Sequence, residues 1–188
     1  MVVGPEVGRC QPWQVRSPNR SVSGRSPYWA FGGTGGRLAL ALFRMPLQAY
    51  HHGKGWLLGH TFLVLTHLGR RSGRPYETVA MVLRYLPETQ EAVICSAWGP
   101  DTDWMRNITA HPASRVEVGR EAFIPEQRIL SEDESLLVVT ECLHQHPWRF
   151  RFLSFVLGWG NLRDESVARD VVHTRPFIAF RPVDPKEA

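Results

Sequence analysis

A chain of 188 residues exceeds the ~150 residues of one typical domain only slightly, which predicts one core domain with an appendage and excludes two full ones. With 43% hydrophobic and 21% charged residues it is not a wholly disordered chain, and no apolar run approaches the ~18 residues of a membrane span. The net charge of +4 hides a division: no acid stands between Glu6 and Glu77, so residues 1–76 hold ten cations against one acid (+9) and residues 77–188 hold twelve against seventeen (−5).

Residues 1–36 contain seven glycines, four prolines and four serines and end in Phe31-Gly-Gly-Thr-Gly-Gly36. Such a composition cannot bury enough apolar surface to offset its ordering entropy, and it reads as a flexible basic arm; a start codon placed too far upstream would look the same. Its basic, serine-, proline- and glycine-rich text has no export signal, and Cys10, Cys95 and Cys142 are an odd count without a CxxC pair. Neither a disulfide framework nor a zinc knuckle is expected, and the expected location is cytoplasmic.

The domain is expected to span residues 37–182, with residues 183–188 as a tail. Leu38 to Leu47 reads as a short apolar helix interrupted at Pro46 and ended by His51-His-Gly-Lys-Gly55. With its basic neighbours that helix could rest on an anionic membrane or pack on the domain. Phe62–Thr66, Glu77–Tyr85 and Ala92–Ala97 read as strands, the second of them central because both faces are largely apolar. Asp101-Thr-Asp103 can cap a helix over Trp104–Ala110 that stops before Pro112. Arg115–Val118 and Phe123–Leu130 read as two strands joined at Gly119-Arg120. Ser131-Glu-Asp-Glu134 has capping-box spacing ahead of an apolar helix. An aromatic helix over Trp148–Leu157, a charged helix over Leu162–Val172 and a strand at Phe177–Phe180 complete the order. This is an α+β domain with six mostly antiparallel strands and flanking helices.

The stretch richest in chemistry is Thr66-His-Leu-Gly-Arg-Arg-Ser-Gly-Arg-Pro75. Gly69 and Gly73 permit positive φ and close backbone approach, Arg70, Arg71 and Arg74 supply charge, and Ser72 a hydroxyl. Such a turn can hold a phosphate, or it can be a solvated basic hairpin loop. Cys142, His144 and His146 suggest a metal, but helical spacing puts His144 off the face shared by the other two, and no metal site is assigned. The aromatics from Trp148 to Trp159 read as core or pocket lid, in a half where acids dominate, so nucleic acid is not an expected partner.

The turn, the strand Val79–Leu83, Ser96-Ala-Trp-Gly99, Asp103-Trp-Met-Arg-Asn107 and His111-Pro112, in this order, resemble the deazaflavin-dependent nitroreductase family over roughly Leu38–Pro182. The resemblance implies a split β-barrel, akin to FMN-binding barrels, that binds coenzyme F420, an 8-hydroxy-5-deazaflavin, in preference to FMN. That cofactor ends in a phosphodiester and a polyglutamate tail, which the acid-free half would suit. By position, Arg71 and Ser72 would meet the phosphate with Arg70 and Arg74 beside them, and Gly73 would admit the backbone. Ser96, Ala97 and Trp98 would lie near the ring. Trp104 and Asn107 would form the pocket wall and a polar contact to the cofactor. Met81, Trp148 and Phe152 correspond to the substrate pocket. The chain departs from its relatives at Tyr76, where many carry a basic residue, and at Met81, where the nitroimidazole-reducing member has tyrosine. The resemblance implies an oxidoreductase that passes hydride from reduced deazaflavin to a quinone, enone or nitroaromatic acceptor. No catalytic acid is assigned; His67, Tyr76 and water are the candidates. The alternative is a non-catalytic flavin, deazaflavin or haem binder. A membrane surface and a second copy of the chain are the macromolecular partners left open.

Overall fold

The computed structural model describes residues 46–148, 151, 154 and 157–183. The basic arm and the start of the apolar helix lie outside the described residues, as does the tail beyond residue 183.

Residues 46–51 are helical, so Pro46 stands at the described edge of a helix that ends at His52-Gly53 as expected. Tyr50 on this helix donates its hydroxyl to the Phe62 carbonyl (2.8 Å) and accepts the Gly119 amide (3.0 Å), tying the helix to the sheet. A 3₁₀ turn at Gly55–Leu58 leads into the sheet.

The strands are β1 (Phe62–Leu68), β2 (Pro75–Leu86), β3 (Glu91–Cys95), β4 (Arg115–Val118), β5 (Glu121–Phe123), β6 (Pro125–Ile129) and β7 (Phe177–Pro182). They form one sheet in the order β5-β4-β1-β2-β3-β7-β6, and every pairing is antiparallel. β5 and β6 end this order on opposite sides, yet only Ile124 separates them in the chain. A sheet whose two edges are one residue apart has to roll up, and the fold is a split β-barrel.

Here the expectation of six strands is corrected to seven. The single strand expected over Phe123–Leu130 breaks at Ile124-Pro125: β5 pairs with β4, whereas β6 pairs with β7. Proline has no N–H for a continuing ladder, so the chain can leave one half of the barrel and join the other at that point. The long β2 makes the matching transition. It pairs with β1 through Met81 and with β3 from Val82 onward, and the register shifts between Val82 and Arg84. A shift of this kind bends a strand from one half-barrel into the next.

Successive side chains of a strand point to opposite faces, and here both faces are buried. Val82, Ala92, Ile94, Ile178 and Phe180 face the interior with Leu63, Leu65, Val116 and Val118, while their neighbours Leu83, Val93, Phe177 and Ala179 join a second core outside it. Helix α1 (Asp103–Ala110) contributes Met105 and Ile108 to the inner core. Helices α2 (Glu132–Gln145) and α3 (Glu165–Thr174) cover the outer core through Val138, Val139, Cys142, Ala168, Val171 and Val172. Double-sided burial explains the nearly continuous apolar text of β1 and β3.

Helix ends follow local chemistry. At Ser131 both halves of the capping box are made: the hydroxyl accepts the Glu134 amide (3.2 Å) and the Glu134 carboxylate accepts the Ser131 amide (2.9 Å). α3 starts three residues later than expected because Asp164 is its cap, accepting the Ser166 amide at 2.9 Å. α1 has Thr102 as its cap residue, but without a side-chain cap bond. The described residues between Pro147 and Leu157 are helical, in line with the aromatic helix expected there. Among the described residues no helix is long and apolar enough to cross a membrane.

Replacing an N-cap serine costs about 1 kcal/mol. Ser131→Ala should therefore lower the thermal midpoint by about 2–4 °C, read by circular dichroism; an unchanged midpoint would show that the box adds nothing to the fold.

Candidate functional site

β1 and β2 form a hairpin whose loop is the basic turn, with Leu68 opposite Pro75. The Gly69 amide donates to the Arg74 carbonyl (2.8 Å) and the Gly73 amide to the Gly69 carbonyl (2.7 Å). Gly73 sits at φ +63°, where other residues are strained, and a Cβ on Gly69 would lie 2.6 Å from Ser72 Oγ and 2.7 Å from the Tyr76 ring. The backbone of the turn thus favours glycine at position 73, while a side chain at position 69 would have to displace those of Ser72 and Tyr76. Among the described residues, neither the Arg71 nor the Ser72 amide is taken by the turn's own hydrogen bonds. The Ser72 hydroxyl accepts from the Arg74 amide (3.3 Å) and lies 3.4 Å from the Tyr76 hydroxyl.

The three arginines divide into two roles. Arg71 and Arg74 are exposed and, among the described residues, form no ion pair. Arg70 instead turns back onto α1: Nη1 donates to Asp103 (3.1 Å) and to Asn107 Oδ1 (3.0 Å), and its backbone amide donates to the same Oδ1 (3.1 Å). Asn107 is 5% exposed, and its amide nitrogen lies 3.3 Å from Nδ1 of His67, itself 3% exposed. Since two Arg70 donors fix which end of the amide is oxygen, Asn107 Nδ2 is the donor and His67 Nδ1 the acceptor. His67 Nε2–H is then left to donate to Thr78 Oγ1 at 3.1 Å. Burial pushes the imidazole below the ordinary value of 6.5.

Of the residues expected at the ring, Ser96 is fully buried. Its hydroxyl donates to the Gly99 carbonyl (2.6 Å) and lies 3.2 Å from the Thr102 hydroxyl, so it shapes the loop after β3. Ala97 is half-buried, and Trp98, 42% exposed, is the open aromatic of that loop. Trp104 packs at the edge of the inner core, and Met81 and Ala97 at the edge of the outer one. Asn107, expected to touch a cofactor, spends both ends of its amide on Arg70 and His67. Trp148 is 66% exposed just past α2, and Phe152 lies outside the described residues. Turn, α1 and the Ser96–Thr102 loop are therefore brought together. Sequence reasoning missed Arg175, whose Nε donates to the Ala97 carbonyl at 3.0 Å; a single arginine before a proline carries no signal.

The sequence model of a family described as F420H(2)-dependent quinone reductase matches residues 42–147, more than half of the chain. The chain belongs to that family. Its members are named for dependence on reduced coenzyme F420, and the donor set of the turn suits an anionic group such as the phosphate of that cofactor: among the described residues the Arg71 and Ser72 amides are outside the turn's own hydrogen bonds and the Arg71 and Arg74 guanidiniums form no ion pair. No curated protein matches the sequence. Among solved structures, the chain is similar to an F420-H2 dependent reductase (FDR-A), at 17% identity over 64% of this chain and 95% of that one, TM-score 0.42. It is similar to a chain described as a domain-swapped dimer, at 15% identity over 65% and 81%, TM-score 0.45. A third is the haem storage protein HutZ of Vibrio cholerae, at 14% identity over 71% and 89%, TM-score 0.41.

The His67 environment sets a pH dependence. An unfolded histidine takes up a proton near 6.5, the folded one only at lower pH, so this contribution to stability is full above about 6.5 and drains away as pH falls through the window below it. His67→Gln keeps an acceptor toward Asn107 and a donor toward Thr78 without titrating. Between about pH 7.5 and about pH 5.5 the wild type should lose more unfolding free energy in urea than this variant. Equal losses would refute the neutral buried imidazole.

Proposed function

We propose that this protein is an F420H2-dependent reductase that passes hydride to an electrophilic, conjugated acceptor, with a quinone the first choice among quinones, enones and nitroaromatics. The observation that carries the reading is the braced turn, in which Arg70 is held on α1 while Arg71, Arg74 and the amides of Arg71 and Ser72 stay open to an anion. Arg71 and Ser72 hold the phosphate, Gly73 lets the backbone approach, and Arg74 meets the acidic tail. Trp98 and Ala97 flank the ring, with Trp104 as part of the wall, and Met81 and Trp148 border the acceptor. The domain over residues 37–182 carries all of these groups.

When bound, the deazaflavin supplies two electrons and a hydrogen as hydride, so the protein's work is orientation and exclusion of water. His67 is not the proton donor in this reading, because both its ring nitrogens are engaged inside the brace; water or Tyr76 delivers the proton. Family membership favours turnover over storage.

A lipophilic acceptor would be met at a membrane surface. Trp56 and Leu57 stand 48% and 61% exposed on the 3₁₀ turn beside Lys54, with the Arg120 guanidinium 5.3 Å from the Trp56 ring centre. An apolar pair ringed by cations suits an anionic bilayer, as a peripheral contact of a cytoplasmic protein.

Titration with oxidised F420, followed by its fluorescence, should show binding, and Arg71→Ala should weaken it more than tenfold, given about 1.5–3 kcal/mol for a hydrogen bond to a charged group. No binding by the wild type would sink the reading, and steady oxidation of F420H2 by menadione distinguishes an enzyme from a store. For the membrane contact, the Trp56→Ser, Leu57→Ser double variant should sediment less than the wild type with phosphatidylglycerol vesicles; identical sedimentation would remove that contact.

A further inference from the structure

Trp159 is 6% exposed and belongs to the outer core against which Met81 and Ala97 pack. Its indole Nε1–H has no hydrogen-bond partner among the described residues. Buried donors in folded proteins are nearly always satisfied, and one left open points to a partner that is not part of the chain. The Arg175 guanidinium lies over this indole, its central carbon 5.3 Å from the ring centre. Arg175 is held from two sides, Nε donating to the Ala97 carbonyl (3.0 Å) and Nη1 to Thr174 Oγ1 (2.7 Å). Among the described residues no carboxylate pairs with it, and a guanidinium has five N–H groups, so donors remain.

The place of this pair is informative. Arg175 grips the loop whose other end is tied by Ser96 to Thr102, at the start of the helix that braces the basic turn through Asp103. One run of contacts thus leads from the phosphate turn, past the ring position, to Trp159 and Arg175. Both residues lie beyond residue 147, where the family match ends, so they are features of this chain that the match does not describe.

We propose that Trp159 Nε1–H and the Arg175 guanidinium form a subsite for a carbonyl oxygen of the acceptor, which this site takes as a quinone. The proposal rests on the reductase reading above. In the reaction a C–H bond of the reduced deazaflavin breaks, and its hydrogen, with the electron pair, forms a bond to the quinone. One quinone oxygen becomes an oxyanion, and a proton from water completes the hydroquinone. Trp159 Nε1–H and a remaining N–H of Arg175, donating to that oxygen, would hold the quinone in place beforehand and stabilise the charge as it appears.

Trp159→Phe keeps an aromatic ring beneath Arg175 and removes the indole donor together with part of the buried ring. In equilibrium dialysis without any cofactor, menadione should bind this variant about five- to tenfold more weakly than the wild type, while F420 affinity stays the same. In turnover the KM for menadione should rise by a similar factor. In ¹⁵N-indole spectra of the wild type the Trp159 Nε1–H resonance should move downfield as menadione is added, a readout that survives even if the variant fails to fold. Unchanged menadione affinity and KM in a folded variant, or a Trp159 resonance indifferent to menadione, would overturn the subsite. If F420 fails to bind the wild type while the resonance still responds to menadione, the reductase reading fails and the quinone subsite stands.

Discussion

One residue, Ile124, joins the two edge strands of the sheet, and that closure governs where function can sit. Because the sheet is rolled and also covered by α2 and α3, the central strands are apolar on both faces and offer no open surface for a polar ligand. Binding groups are therefore confined to the strand ends and the loops that leave them. The basic turn is at the joint end of β1 and β2, and the Ser96–Thr102 loop leaves β3. Gln127 on β6 reinforces the closure, accepting the Ala113 amide (2.9 Å) and donating to the Ile108 carbonyl (2.8 Å), so the C-terminal end of α1 is clamped to the strand that seals the barrel.

With α1 clamped at one end, its first two turns can act as a brace. Asn107 joins three elements, taking two donors from Arg70 and giving one to His67 on β1. A glycine-flanked turn would otherwise sample many backbone states, and ordering it on binding would cost affinity. Anchoring Arg70 places that cost in the folded protein and leaves the neighbouring arginines exposed. The same network explains why a buried histidine is kept neutral: a proton on Nδ1 would set donor against donor at Asn107.

What could be read from the residues alone was what is local. β1, β2 and β3 followed from apolar runs bounded by turn residues, α2 from Ser131 and Glu134, and the turn from Gly69 and Gly73. The missed break at Ile124-Pro125 is a consequence of closure, since Pro125 could as well begin an edge strand. Asn107 was legible as a polar residue on one face with Trp104, but its partners, Arg70 and His67, come from 37 and 40 residues away. Arg175 was invisible for the same reason, as it meets Ala97 across 78 residues. Nothing in the text near either residue announces such contacts; only the packed barrel does.

The uneven charge along the chain acquires a physical meaning from the pairing pattern. Several acids of the later part are answered by cations of that same part: Glu91 by Arg84, Glu117 by Arg115, Glu126 by Arg181, Glu134 by Arg128 and Glu165 by Arg169. Asp103 reaches back into the basic part and takes Arg70, as Glu77 and Glu121 reach back to His51 and His60. Apart from the mostly buried Arg84–Glu91 pair, self-neutralisation of this kind adds little stability pair by pair, because the partners are exposed. Its effect is on what is left over. Among the described residues Arg71 and Arg74 form no ion pair, Arg71 carrying one of the turn's open amides itself and Arg74 standing two residues past Ser72, and over the ~8 Å range of physiological screening it is these charges, not the chain's net +4, that an anion approaching the turn meets.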